Sequence, residues 1–168
     1  FITPDTERTF SVHLGAALEL YKEDVLEEDI AKSKILHFEG YQLEGPTRET
    51  ILHAIELAKK HQTLISLDLN DPGLIRRNKD FLKEIITKAD IVFVNEKEAL
   101  EFTGLEEEEA ALELAKQVKI AIVKVGERGS IICSSNGVTK IDVVKAEAID
   151  TTGAGDSYAA GFLYGYCN

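Results

Sequence analysis

Short apolar runs alternate with helix-length amphipathic segments along most of this chain, and that alternation restricts the fold more than any other feature. Ile91-Val92-Phe93-Val94 is a continuous apolar run, and Ile120 to Val125 reads as another buried strand. Strands buried on both faces read this way, whereas a half-exposed strand alternates apolar with polar. Ile35-Leu36-His37-Phe38 and Leu64 to Leu69 supply two further strands. Between these runs, Pro46 to Lys60 is expected to be helical, with Ile51, Leu52, Ile55 and Ala58 on one face. Pro46 suits a helix start, where its missing N–H is not needed. Lys79 to Lys88, Glu96 to Phe102 and Glu107 to Gln117 are expected helices too, and a last one runs from Ala154 to Tyr166. Such alternation implies an α/β fold: a doubly wound, mostly parallel sheet flanked by helices. Ligands in these folds bind outside the carboxyl ends of the strands.

Two segments depart from the rhythm and read as β-hairpins. Phe1-Ile2-Thr3 and Arg8-Thr9-Phe10 flank the turn-prone Pro4-Asp5-Thr6-Glu7, and Ser130 to Ser134 and Val138 to Val143 flank Ser135-Asn136-Gly137. No linker or repeat interrupts the 168 residues, so residues 1–168 are expected to form a single α/β domain. The acids Glu106 to Glu109 sit at a helix start, where they suit the dipole and read as a solvated first turn. A net charge of −11 argues against nucleic acid as a partner, because phosphate backbones require a basic face. No apolar run approaches the ~20 residues of a membrane span. Cys133 and Cys167 lack metal spacing and read as buried thiols of a reducing compartment, the cytoplasm. The chain opens on Phe1 and stops at Asn168 soon after an apolar stretch, which reads as part of a longer protein.

The segment Asp150-Thr151-Thr152-Gly153-Ala154-Gly155-Asp156 carries the most chemistry. It follows the strand-like Ala146 to Ile149 and opens the last helix. Glycines let the backbone turn tightly and bring bare N–H groups to a ligand, and a helix N-terminus adds unsatisfied donors and a favourable dipole. Asp156, in the first helical turn, is placed to accept a proton from a hydroxyl while amides hold phosphoryl oxygens. The plain alternative is that Asp156 caps the helix and the glycines form a turn. No Walker loop is present. A dinucleotide fingerprint needs a third glycine where Tyr158 stands, and a tyrosine there opposes close helix–strand packing.

Other candidates also follow strands. Asn95-Glu96-Lys97-Glu98 has the form of a capping box. Lys124-Val125-Gly126-Glu127-Arg128-Gly129 suits a tight turn between strands. Glu39-Gly40-Tyr41 and Asp68-Leu69-Asn70 end strands near the expected cleft, and turn chemistry explains both equally well. His13, His37, His53 and His61 share no metal spacing and read as packing or surface residues.

From Asp150 to Asp156 the residues match the second signature of the ribokinase-like (PfkB) carbohydrate kinases, and Ser157-Tyr158-Ala159-Ala160-Gly161-Phe162 continues the likeness. The opening Thr3 to Thr9 with Leu14-Gly15-Ala16 is similar to adenosine-kinase-like and sugar-kinase members, with Thr6 where many have glycine. The resemblance implies an ATP- and Mg2+-dependent phosphotransferase acting on a hydroxymethyl group of a sugar or nucleoside. It makes Asp156 the catalytic base that meets the substrate, and Gly153, Ala154 and Gly155 the anion hole for the γ-phosphate. It places Asn95, Lys124, Gly126 and Gly129 against the nucleotide, Glu98 at Mg2+, and Asp150 and Thr152 at a monovalent cation, K+. By analogy with ribokinase, Glu39 hydrogen-bonds a substrate hydroxyl. Family members run to about twice this length, so the chain is expected to be the central and catalytic part without the N-terminal lid. Family dimers pair through that lid, which makes a homodimer part of the expectation. Two other classes stay open: a non-catalytic sugar- or nucleotide-binding homologue, and a dinucleotide-dependent oxidoreductase.

Overall fold

The computed structural model describes residues 13–145 and 150–168; the expected hairpin of residues 1–10 and strand-like segment 146–149 lie outside them. Six strands form one sheet: β1 (Ile35–Glu39), β2 (Leu64–Asp68), β3 (Ile91–Asn95), β4 (Ile120–Lys124), β5 (Ser130–Ser134) and β6 (Gly137–Ile141). They lie in sequence order. β1 to β4 are mutually parallel, and β5 and β6 add antiparallel at the β4 edge. The helices are α1 (Glu27–Lys32), α2 (Arg48–His61), α3 (Pro72–Ile86), α4 (Glu96–Thr103), α5 (Glu107–Leu114) and α6 (Ala154–Cys167).

Side chains alternate across a strand, so each strand feeds both faces of the sheet. One face carries Phe38, Ile65, Leu67, Val92, Val94, Ala121 and Val123 into a core shared with α2, α3, α4 and α5. Crossovers of one hand in an unreversed strand order keep those helices on one side. The opposite face carries Ile35, Ile91, Phe93, Ile120 and Ile122, packed by Tyr158, Ala159, Phe162 and Leu163 of α6. Helices thus flank both faces of a mostly parallel sheet, as expected.

Several element bounds differ from the sequence expectation, each for a local reason. α3 begins at Pro72 rather than Lys79, because the Asp71 carboxylate accepts the Leu74 N–H at 2.7 Å and Pro72 fills the first turn. Asn78 interrupts α3 with φ −123° and donates from its side chain to Glu44 and to the Leu74 carbonyl. α5 stops at Leu114 rather than Gln117, where Lys116 and Gln117 turn back to the Glu113 and Leu114 carbonyls. β6 ends at Ile141, before Val143. Residues 13–34, ahead of β1, form two 3₁₀ turns and the short helix α1. The acids of the 106–109 run are not simply solvated: Glu107 pairs with Arg128, and Glu108 with Lys140 at 2.7 Å. Of the two thiols only Cys133 is buried; Cys167 is half-buried at the end of α6, where its carbonyl accepts from Lys34. Among the described residues no helix is long and apolar enough to cross a membrane.

Candidate active site

The carboxyl edge of the parallel strands is where the sheet stops burying hydrocarbon. Glu39 ends β1, Asp68 ends β2, Asn95 ends β3 and Lys124 ends β4. Glu39 stands beside Asp68 in the ladder, and Asn95 beside Lys124. Strand alternation sends Glu39, Asp68 and Lys124 to the α6 face, in line with His37, Ser66 and Ile122. Lys124 crosses that face to meet Asp68 at 2.5 Å, with side chains only 17% and 5% exposed. Asp68 also accepts the Asn70 N–H at 3.2 Å. The Lys124 ammonium lies 3.3 Å from where a Cβ on Gly155 would stand, so this glycine leaves room for the lysine under the helix start.

The start of α6 is shaped locally. The Asp150 carboxylate accepts the Thr152 N–H at 2.8 Å, and Gly153 turns the chain at φ +73°, a conformation glycine adopts without strain. The first full helical bond runs from the Ser157 N–H to the Gly153 carbonyl, while the Ala154 N–H donates back to Thr151 at 3.2 Å. The N–H groups of Gly155 and Asp156 therefore have no intrahelical acceptor and carry the positive end of the dipole. An anion at Ala154 would share that amide with Thr151. Asp156 is exposed, its carboxylate 3.9 Å from the Cβ position of Gly153.

Electrostatics tie the strand ends to this helix start. Burial raises the Glu39 carboxyl above its ordinary value, the charges of Asp156 and Asp68 add to the rise, and Lys124 opposes it. Desolvation lowers His37, whose neighbours include Asp68, Lys124 and Asp156. The His37 ring hydrogen-bonds Ser66 at 3.0 Å and meets Phe93 edge-on at 6.2 Å. Tyr158 bonds Ser130 at 2.6 Å and packs edge-on against Phe93, so the helix rests on a tyrosine where a dinucleotide turn would need glycine.

Asn95 and Glu98 form the expected capping box: the Glu98 N–H donates to the Asn95 side chain at 2.9 Å, and the Asn95 N–H to the Glu98 carboxylate at 2.8 Å. Glu98 is 1% exposed, and burial, with the charge of Asp68, raises its carboxyl to about 7. No group of three or more His, Cys, Asp or Glu among the described residues is arranged to hold a metal. Mg2+ does not require one, because it keeps several waters and takes phosphate oxygens beside one or two carboxylates. Glu98 offers one carboxylate there, both of whose oxygens accept from Asn95. Gly126 and Gly129 form the turn beyond Lys124, at φ +57° and +88°, and a Cβ on Gly129 would overlap the Ile141 carbonyl at 1.9 Å.

Glu39, Asn95, Glu98, Lys124, Gly155 and Asp156 are thus gathered at one end of the sheet. Gly126 and Gly129 shape the turn that follows Lys124, and Asp150 and Thr152 lie on the loop into α6. Sequence reasoning left Asp68 open between a residue of the cleft and turn chemistry, and His37 as a packing or surface residue. Period-2 counting back from Glu39 would have put His37 on the same face, but nothing in the sequence pairs Asp68 with a lysine 56 positions away.

A family model described as pfkB family carbohydrate kinase matches residues 1–168. The crystal structure of adenosine kinase from Sinorhizobium meliloti is similar at a TM-score of 0.83 and 35% identity, covering 89% of this chain and 47% of that one. A putative ribokinase II from E. coli in complex with ATP and Mg2+ is similar at a TM-score of 0.74 and 25% identity, covering 83% of this chain and 47% of that one. The 5-dehydro-2-deoxygluconokinase of Bacillus licheniformis is 34% identical over 160 residues, 89% of this chain and 49% of its own length. The chain spans about half the length of the curated relatives it matches.

Proposed function

Because the chain belongs to the pfkB family of carbohydrate kinases, we propose that it carries the catalytic centre of an enzyme that moves the terminal phosphoryl group of ATP onto a hydroxymethyl group of a sugar or nucleoside. The observation that supports this best is the exposed start of α6, with the Asp156 carboxylate beside Gly153 and the Lys124 ammonium under Gly155. In this reading the Gly155 and Asp156 amides, with Gly153 and Ala154 shaping the turn, hold the transferring phosphoryl oxygens. Asp156 takes the proton of the acceptor hydroxyl as its oxygen bonds to the γ-phosphorus, and the bond to the ADP oxygen breaks. Glu39 receives a hydroxyl of the acceptor, and its raised pKa suits an acid that shares a cleft with Asp156. Asn95, Lys124 and the Gly126–Gly129 turn face the nucleotide.

Glu98, through water, would help hold Mg2+, which neutralises polyphosphate charge when bound. Asp150 and Thr152, already joined by a hydrogen bond, would hold a monovalent cation such as K+. The sugar and nucleoside kinases among the relatives support a small polyhydroxylated acceptor. On this reading residues 1–168 form one α/β unit of a cytoplasmic enzyme that uses neither nucleic acid nor membrane. A homodimer, checked by sedimentation, belongs to the same reading.

The test is a phosphotransfer screen of the intact protein on sugars and nucleosides, with and without K+, repeated for Asp156→Asn. Loss of a general base costs on the order of 10²–10⁴ in rate. The variant is expected to lose turnover by that amount and still bind ATP. Turnover within a few-fold of wild type would remove Asp156 from the mechanism.

A further inference from the structure

Among the described residues Lys124 is the one cation that acts on both Glu39 and Glu98, and something has to hold its flexible stem in place. An ammonium on four methylenes has several rotamers, and restricting them is costly unless a partner fixes them. The partner here is Asp68. Its carboxylate is 2.5 Å from the ammonium and almost fully buried, at the end of a central strand. Its other oxygen accepts the Asn70 N–H at 3.2 Å, and Asn70 sits in a left-handed turn at φ +64°. Asn70 in turn accepts the Gly40 N–H through its side chain at 2.8 Å, so the turn after β2 is clamped to the turn after β1. Gly40 is pressed against the same segment: a Cβ there would stand 2.7 Å from the Leu69 carbonyl.

We propose that Asp68 is a positioning residue, which aims the Lys124 ammonium at the start of α6 so that it meets the terminal phosphate together with the Gly155 and Asp156 amides. This rests on the reading of α6 as the γ-phosphate site. An ammonium has three donors, so it can keep Asp68 and still offer a hydrogen bond to the phosphate. Fixing the cation before the nucleotide arrives removes a reorganisation from the reaction. An uncompensated lysine at this depth would instead swing toward water or disturb the core. Asp68 touches neither nucleotide nor acceptor in this account; it acts through Lys124.

The test compares ATP with ADP binding to the intact protein for wild type, Asp68→Asn, Lys124→Met and the double variant. ADP lacks the phosphate that Lys124 meets, so a general loosening of the fold would weaken both nucleotides alike. Asp68→Asn is expected to weaken ATP roughly tenfold or more relative to ADP, the scale seen when a supporting partner of a site residue is removed. Asp68→Asn is also expected to cost little further once Lys124→Met is present, since a residue that works through another is non-additive with it. Equal loss for both nucleotides, or additive effects in the double variant, would overturn the proposal. Should Asp68→Asn not fold, Asp68→Glu takes its place, because it keeps the charge and displaces it by one methylene; the same selective loss is expected. Asp156→Asn separates this from the wider reading: a phosphotransferase that depends on Asp156 but shows no ATP selectivity at Asp68 keeps the function and loses the positioning role.

Discussion

On one face of the sheet Ile65, Leu67, Val92, Val94 and Val123 are completely buried under α2 to α5. On the other, the same strands end in Glu39, Asp68 and Lys124 beside an exposed helix start. The period of two in a strand makes this division possible, since one residue serves the core and the next serves the cleft. The first face supplies rigidity through close packing, and the second spends little of it. α6 illustrates the contrast: it is rich in Tyr, Gly and Ala, yet Ala159 is its only fully buried residue and Tyr164 is 75% exposed. The candidate site groups therefore sit beside the smaller cluster of Ile91, Phe93, Ile122 and Ala159, while the larger core lies on the opposite side.

The sharpest way to break this comparison is to cut matching positions on the two faces. Leu67→Ala removes a side chain with no solvent exposure, and such cavities cost about 2–5 kcal/mol. Ser66→Ala, one residue earlier, removes only the hydrogen bond to His37, worth about 1 kcal/mol. Urea unfolding of the two variants is expected to show that order. Comparable losses would mean that the α6 face is as much a part of the core as the other.

A smaller effect appears with pH. Glu98 is carried from an ordinary value of 4.5 up to about 7 by burial. The folded state thus binds its proton more tightly than the unfolded chain, so the associated stability is complete below about 4.5 and is lost as pH rises through about 7. Glu39, also raised, has the same sign. The loss traced to Glu98 is on the order of 3 kcal/mol at most. Glu98→Gln keeps an oxygen for the Asn95 N–H and is expected to flatten much of the fall in unfolding midpoint between pH 4.5 and 8. An unchanged slope would place the titration elsewhere.

Sequence carried the first face well and the second face in part. The apolar runs at 91–94 and 120–123 read as buried strands, and Asn95 with Glu98 announced a helix start that the structure keeps. The glycines at 153 and 155 and the aspartate at 156 are local features, so they too were legible. Contacts that join distant strands were not. The Asp68–Lys124 pair spans 56 residues and depends on which strands become neighbours. The early start of α3 was signalled by Asp71-Pro72, but the charged run Arg76-Arg77 and the irregular Asn78 broke the apolar period that would have extended the helix. The short turns and helix before β1 offer no period at all, because six residues cannot show one.

The central claim is that the bare amides at the start of α6 receive the terminal phosphate of ATP, with Asp156 turned toward it. A crystal structure of the intact protein with Mg2+ and a non-hydrolysable ATP analogue measures this directly. The account predicts γ-phosphate oxygens within hydrogen-bond reach of the Gly155 and Asp156 N–H groups and of Lys124, with the Asp156 carboxylate facing the γ-phosphorus. A terminal phosphate bound away from α6, or an Asp156 side chain directed elsewhere, would contradict it.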